Sequence, residues 1–455
     1  MAYCSVRSQN KVIQHGAHRE GKRNDAAMQE WRDYGLGMFM CWGIYSMYGG
    51  QYKGKDFGNA AEFIRGFVPK NEYDIAYKKF NAKQFSADDW ALRAKKMGAK
   101  LLYFTAKYHD GFCMWPSKYT TYNIANTPYK KDVVKQIVHA FNKQGIDVHL
   151  YYSIMDWADS NNRLVLKTPD DYEANERFKI VIKNQLTELV KNYPTIKGLW
   201  FDGTWDDFWK KSGAFSDSLE IYLKLLNPNL IIGSRLRADE YGNRHIDGNG
   251  KLMGDFHQAW ERKMPQDYNA TKGYDWEFIT TLAENGWGYQ KNYLGHLKTT
   301  SELIEMMVKA SSLDGNTMIN FAPMGNGAVR PEEASIADSI GQWMEINNVV
   351  IYNTGYVKNW PKQDWGYITQ NNQTGKIYLT VFNVPVSGKL RLTVPKGVLL
   401  KGAKMHIGKT ALKIEKLDGL DYFIYLPKKN YYEAFVIELS ILNAETKKTE
   451  KNALT

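Results

Sequence analysis

The feature that most constrains the fold is a repeated alternation of short apolar runs with amphipathic segments between about residues 31 and 352. Each of five apolar runs with strand character follows a segment of helical periodicity, and the runs cover residues 99–106, 147–153, 197–202, 230–235 and 316–321. Strands that are apolar on both faces and alternate with helices are typical of a parallel sheet. Over a stretch of this length the pattern predicts an α/β fold with a (β/α)8-like barrel.

The pattern changes after a predicted helix at residues 334–346. Four short alternating strands follow, separated by Gly and Pro, at residues 376–382, 389–394, 422–426 and 434–439. Such strands predict an antiparallel β-sandwich. We therefore expect a polar, irregular N-terminal segment over 1–30, a catalytic barrel over 31–348, a C-terminal β-sandwich over 349–441 and a disordered tail over 442–455.

The net charge of +11 fits either an ordinary basic surface or a polyanionic partner, such as nucleic acid or a sulfated or carboxylated glycan. The lysines are scattered and no nucleic-acid-binding motif is present, so we expect no nucleic-acid partner. The three cysteines are too few for a disulfide framework or a zinc cluster.

No run reaches the roughly 18 apolar residues that a membrane span requires. The first twenty residues have no apolar signal-peptide core. The pattern leaves the compartment open: secreted or periplasmic if a signal peptide has been removed, and cytoplasmic otherwise.

Polar side chains recur where the predicted strands end, at residues 107–110 and 153–157 and at Asp202, Arg235 and Asn320. In a barrel these ends converge on one face, where the functional site must lie. Asp202 ends an apolar strand next to Trp200 and is followed by Gly203. It is a candidate nucleophile for a retaining glycosidase, which needs two carboxyl groups about 5–5.5 Å apart. The alternative is that Asp202 caps the next helix.

Nine ordered motifs resemble those of glycoside hydrolase family 29, the α-L-fucosidases. They lie at residues 37–46 (GMFMCWGIYS), 61–63 (AEF), 72–73 (EY), 105–112 (TAKYHDGF), 151–157 (YYSIMDW), 200–203 (WFDG), 276–289 (WE to GWGY), 315–323 (GN to NFAP) and 340–352. Each motif alone is weak, but their common order along nearly the whole chain is a specific signal.

The resemblance implies a retaining exo-α-L-fucosidase that releases terminal α-L-fucose by double displacement, with Asp202 as nucleophile and without a metal or cofactor. The acid/base residue has two candidates, because the family takes it from a variable loop. The loop carrying Glu261 resembles the one that supplies the acid in many members, and Glu277 of the Trp-Glu motif is the rival. We favour Glu261, for which the alternative is a surface carboxylate paired with Arg262 or Lys263.

The resemblance also assigns the sugar contacts. The residues expected to hydrogen-bond fucose are Glu62, His109, Tyr152, Trp200 and Arg235. Phe63 and Trp287 are expected to contact the apolar face of the sugar, and Glu277 to support the site. The alternatives are a structural role for His109 and core packing for Phe63 and Trp287.

Two positions depart from the family pattern, since Cys41 and Tyr108 stand where the family has histidines that contact the sugar. A thiol is a poorer hydrogen-bond partner and smaller than imidazole. We therefore keep a second hypothesis, in which the same mechanism acts on sulfated or otherwise substituted fucose or on an L-galactoside. A third hypothesis, from another class, is a catalytically silent glycan-binding protein. The expected partner is a fucosylated oligosaccharide or polysaccharide, sulfated or not; the sequence indicates neither the linkage nor the oligomeric state.

Overall fold

The computed structural model describes residues 21–58, 61–239, 241–284, 286–428 and 433–443. Most of the predicted N-terminal segment and disordered tail therefore lies outside the described residues. Both predictions are wrong for part of the described residues. Helix Ala26–Arg32 begins within the N-terminal segment expected to be irregular. Residues 442 and 443, expected in the disordered tail, complete strand Phe435–Asn443. Arg23 explains why the chain is ordered here, because its buried guanidinium donates to Asp255 at 2.9 Å.

Eight parallel strands form the core of the N-terminal domain. They are β1 Leu36–Met40, β2 Leu101–Lys107, β3 Asp147–Ser153, β4 Gly198–Asp202, β5 Ile231–Ile232, β6 His257–Glu261, β7 Trp276–Thr281 and β8 Gly315–Phe321. The strand order in the sheet is β5-β4-β3-β2-β1-β8-β7-β6. Backbone hydrogen bonds from Asp255 to Ile232 (2.8 Å) and from Ser234 to Phe256 (3.0 Å) join the two edges of the sheet. The predicted (β/α)8-like barrel is confirmed.

Seven helices of at least seven residues accompany the strands in the described chain. They are α1 Ala26–Arg32, α2 Ala87–Met97, α3 Val133–Lys143, α4 Pro169–Asn192, α5 Gly213–Leu226, α6 Thr300–Ser311 and α7 Pro331–Asn347. Side-chain caps fix where several begin: Ser86 accepts from the amide of Asp89, and Thr168 forms a capping box with Asp171. Shorter helical turns lie at Ile44–Met47, Ala61–Gly66, Lys70–Tyr73, Ala76–Lys79, Ile124–Asn126, Asp207–Lys210, Tyr268–Ala270 and Asn348–Val350.

Most of the strands are buried along nearly their whole length, as expected for a sheet covered on both faces, and β6 is the exception, with only Gln258 buried. Every residue of β2 and β8 is buried. The predicted strand at 230–235 is shorter than its apolar run, because the chain leaves the ladder after Ile232. At Gly233 a side chain would collide with Gln258, which approaches to 2.0 Å of an ideal Cβ position, so this turn requires glycine.

Two antiparallel sheets make up the C-terminal region. Their strands are β9 Thr354–Gly355, β10 Gly366–Asn371, β11 Ile377–Val381, β12 Lys389–Thr393, β13 Val398–Met405, β14 Ala411–Leu412, β15 Ile414–Lys416, β16 Asp421–Tyr425 and β17 Phe435–Asn443. The six-stranded sheet has the order β9-β10-β11-β17-β13-β14 and the other β12-β16-β15. Leu379 of one sheet and Leu392 of the other share a hydrophobic core, which agrees with the predicted β-sandwich. In the described part of the chain, no helix has the length and apolarity needed to cross a membrane.

Candidate active site

A cavity of about 320 Å³ opens where the carboxyl ends of the barrel strands converge. Its lining residues are Phe39, Cys41, Glu62, Phe63, Tyr108, His109, Tyr151, Trp200, Asp202, Trp205, Arg235, Arg244, Glu261, Arg262 and Trp287. Asp202 and Glu261 are the last residues of β4 and β6, and Cys41 directly follows β1. The barrel thus brings together residues that are far apart in the sequence, at the face where the sequence predicts the site.

Asp202 is held as an anion by its neighbours. Tyr151 donates its hydroxyl proton to Oδ2 at 2.8 Å, and Nη1 of Arg235 donates to Oδ1 at 2.9 Å. Burial raises the pKa of Asp202, but the charge of Arg235 and the hydrogen bond from Tyr151 outweigh burial and leave that pKa below its ordinary value. The carboxylate is therefore charged and oriented at neutral pH, as a nucleophile must be.

Glu261 lies in the same cavity, bound to the other side of the same guanidinium. Nη2 of Arg235 donates to Oε2 of Glu261, while Nη1 holds Asp202. One arginine fork thus spans the two carboxyl groups and keeps them close together. The Glu261 side chain is 25% exposed against 14% for Asp202, so Glu261 lies nearer the mouth.

Glu277 lies beneath the cavity wall and is not among the residues that line the cavity. The indole Nε1 of Trp200 donates to Oε1 of Glu277 at 2.6 Å, and Tyr103 donates to its Oε2. Burial raises the pKa of Glu277 to about 7. The structure therefore places Glu277 behind Trp200, where it orients the indole, and not in contact with a sugar in the cavity.

His109 has a defined tautomer. Ser153 donates its hydroxyl proton to the carbonyl of Met155 at 2.6 Å, so it must accept from Nδ1 of His109 at 2.7 Å. The Nε2 atom then carries no proton and lies 3.7 Å from Oδ2 of Asp202. Burial lowers the pKa of His109 to about 4. The neutral ring can accept a hydrogen bond from a sugar hydroxyl at the cavity.

Tyr152 does not reach the cavity, which differs from the contact predicted for it. It is fully buried, and its hydroxyl donates to Gln185 at 2.6 Å. Successive side chains of a strand point to opposite faces, so the neighbouring Tyr151 takes the place expected of Tyr152.

The other predicted sugar contacts lie in the cavity. Glu62 accepts from the amide of Gly288 at 3.1 Å, and burial raises its pKa. Phe63, Trp200 and Trp287 contribute aromatic walls.

Cys41 and Tyr108 both line the cavity, and both contact Tyr45. The Cys41 thiol is hydrogen-bonded to the hydroxyl of Tyr45 at 3.2 Å, and Tyr45 packs on Tyr108 with ring centroids 5.0 Å apart. Burial raises the pKa of the Cys41 thiol, so the sulfur is neutral. The thiol of Cys41 is therefore a weak hydrogen-bonding group, whereas Tyr108 brings a hydroxyl to the same corner of the cavity.

Five lining residues were not predicted from the sequence: Phe39, Tyr151, Trp205, Arg244 and Arg262. Tyr151 pairs with Trp200, two residues before Asp202, so the alternation of side chains identifies Tyr151 as the cavity residue once this register is known. Trp205 and Arg244 lie in loops that carry no periodic signal. Among the described residues, no group of three or more His, Cys, Asp or Glu is arranged to hold a metal ion.

Comparison with known proteins gives a consistent set of relatives. The alpha-L-fucosidase family model matches residues 3–349. A crystal structure of a family 29 α-L-fucosidase from Bacteroides thetaiotaomicron is 43% identical, with a TM-score of 0.91 over 94% of this chain and 98% of that chain. A second structure from that organism shows a covalent intermediate trapped with 2-fluoro-fucosyl fluoride in a glutamate-to-glutamine variant. Human plasma α-L-fucosidase is 27% identical over 387 residues, which cover 80% of this chain and 78% of the human protein.

Proposed function

This chain belongs to the α-L-fucosidase family of glycoside hydrolases, and we propose that it is a retaining exo-α-L-fucosidase with Asp202 as nucleophile and Glu261 as acid/base. The observation that carries the proposal is the pair of carboxyl groups held by the one guanidinium of Arg235. Retaining glycosidases need two such groups close together on either side of the scissile bond.

In the first step, a carboxylate oxygen of Asp202 attacks the anomeric carbon of fucose. Glu261 donates its proton to the glycosidic oxygen as the bond to the leaving group breaks. In the second step, Glu261 takes a proton from water, and the water oxygen attacks the anomeric carbon. The ester bond to Asp202 then breaks, which regenerates both carboxyl groups and releases fucose with retained configuration.

The surroundings of each carboxyl group suit its role. Arg235 and Tyr151 keep Asp202 ionised. Glu261 is nearer the mouth of the cavity, on the path of the leaving group. The relative's covalent intermediate, trapped in a glutamate-to-glutamine variant, supports a double displacement with a glutamate as the partner of the nucleophile.

The size of the cavity supports removal of one terminal sugar. Its volume of about 320 Å³ lies at the small end of ligand pockets, which span roughly 300–1,000 Å³. Arg235 and Glu62 can bind hydroxyls on the polar side, and Phe63 and Trp287 offer an apolar surface for the C6 methyl group of fucose.

A substituted sugar is the second candidate, favoured by the weakly hydrogen-bonding thiol of Cys41 in the corner that Tyr108 also lines. The substrate would be a sulfated fucose or an L-galactoside, processed by the same two carboxyl groups. Turnover of a plain aryl α-L-fucoside should be compared with that of a sulfated fuco-oligosaccharide. High activity on the plain glycoside alone would reject this candidate. A catalytically silent binding protein is disfavoured, because both carboxyl groups line the cavity.

Azide rescue distinguishes Glu261 from Glu277. An aryl fucoside with a good leaving group needs little acid catalysis, so Glu261→Ala should form the fucosyl-enzyme and then stall. Azide, which needs no general base, should restore turnover and yield fucosyl azide. The matched variant Glu277→Ala should show no rescue, because its carboxyl lies behind Trp200. Rescue of Glu277→Ala in place of Glu261→Ala would reverse the assignment.

A further inference from the structure

Two guanidinium groups line the cavity in addition to Arg235, and the proposed hydrolysis gives them no role. The guanidinium of Arg244 has no hydrogen bond or ion pair with any residue in the described part of the chain, and its Nε is buried without a partner. Arg262 lies 3.8 Å from Glu261 and packs over Trp287 at 5.5 Å. A partly buried cation without a bonded partner is costly, which points to a ligand that would satisfy it.

The position of Arg262 relates it to the leaving group, and Arg244 lines the same cavity. Exposure increases outward from Arg235, at 10%, through Glu261, at 25%, to Arg262, at 40%. Glu261 protonates the glycosidic oxygen, so the leaving sugar extends past it toward the mouth, where Arg262 follows in the chain. Trp205, which is 38% exposed, lies on the same cavity and offers an aromatic face.

The charges of the lining also favour an anion. Three arginines line the cavity against the three carboxyl groups of Glu62, Asp202 and Glu261. When Glu261 is protonated, the three arginines face only the two carboxylates of Glu62 and Asp202. Burial and the repulsion of Arg235 lower the pKa of Arg244, although Asp202 and Asp206 act in the opposite direction. A neutral leaving sugar could accept hydrogen bonds from these arginines, but only an anionic sugar would also neutralise their charge.

Resting on the proposed function, we propose that the leaving-group side of this cavity binds an anionic sugar, whose sulfate or carboxylate group pairs with Arg244 and Arg262 beside Trp205. Arginine is suited to this because its planar fork binds sulfate-like and carboxylate oxygens in pairs. The preferred substrate is then a fucose attached to a sulfated or acidic sugar, and the anion need not be on the fucose itself.

The test uses three fucosyl-disaccharides that differ only in the leaving sugar: neutral, sulfated or carboxylated. The wild-type enzyme should hydrolyse at least one anionic disaccharide with a kcat/KM about tenfold or more above the neutral one. Whichever of the sulfated and carboxylated disaccharides has the higher kcat/KM identifies the anionic group that the site prefers. Because charge pairs near a surface are screened by salt, raising the salt concentration from 0.05 to 0.5 M should reduce this preference.

Arg244→Gln and Arg262→Gln should each reduce the ratio of anionic to neutral kcat/KM by about tenfold. Arg391→Gln removes the same charge from the β-sandwich, where the side chain is 69% exposed, and should leave the ratio unchanged. Equal hydrolysis of all three disaccharides, or a preference that survives both substitutions, would overturn the inference while the proposed function stands. Hydrolysis of none of them would overturn the proposed function, and this inference with it.

Discussion

Replacement of Tyr151 by Phe should move the acidic limb of the pH profile to higher pH. The Tyr151 hydroxyl donates to Oδ2 of Asp202 at 2.8 Å and is one of the groups that keep the pKa of Asp202 low. A hydrogen bond to a charged group contributes roughly 1.5–3 kcal/mol. At 1.36 kcal/mol per pKa unit, its loss should raise the pKa of Asp202 by about one to two units. The nucleophile would then be protonated, and inactive, at a pH where the wild type is still active.

The assay is kcat/KM for an aryl α-L-fucoside as a function of pH, which reports ionisations of the free enzyme. Tyr152→Phe is a matched control, since it removes a hydroxyl one residue away that bonds Gln185 outside the cavity. Its acidic limb should stay where the wild-type limb is. An unmoved limb in Tyr151→Phe, or an equal shift in both variants, would refute the role assigned to the Tyr151 hydroxyl.

Two further substitutions test the frame around the nucleophile. Burial raises the pKa of Glu277 from 4.5 to about 7, so the folded state holds this proton more tightly, and stability is lost as the pH rises between those values. The free energy of unfolding of the wild type should fall by roughly 3 kcal/mol over this pH range, and Glu277→Gln should abolish that fall. Parallel curves of unfolding free energy against pH for the two proteins would contradict this prediction. At Gly203 the φ of +69° and an ideal Cβ only 2.7 Å from Met155 disfavour any side chain, so Gly203→Ala should lower both Tm and kcat. Gly54 has a similar φ of +77°, but the space around its ideal Cβ is open, so Gly54→Ala should lower Tm less and leave kcat unchanged. Equal effects of the two substitutions would show that crowding beside Asp202 is unimportant.

The barrel could be predicted because each repeat carries its own local signal. An apolar run buried on both faces differs from an amphipathic helix in period and composition, as β2 and α3 show. The two-residue strand β5 and the partly exposed strand β6 give weaker signals of strand periodicity in the sequence. Their places follow from the neighbours they pair with, which local periodicity does not encode.

The site was predictable where function follows from the end of a strand. The rule that strand ends converge on one face was enough to place Asp202 and Arg235 at this site, whereas the roles proposed for them rest on the resemblance to the family. Tyr151 was missed because two adjacent tyrosines fit the same motif, and only the register of β3 decides which one faces the cavity. Arg244 was missed because it lies in the irregular chain between β5 and β6, where long-range packing sets the direction of a side chain.

Covalent labelling of Asp202 tests the central claim most directly. The enzyme should be incubated with 2-fluoro-fucosyl fluoride. The masses of the intact protein and of its peptides should then be measured by mass spectrometry. We predict the addition of one fluorofucosyl group, located on Asp202, and no addition to Asp202→Asn. A label on another residue, or hydrolysis by the enzyme without any covalent adduct, would contradict Asp202 as the nucleophile of a double displacement.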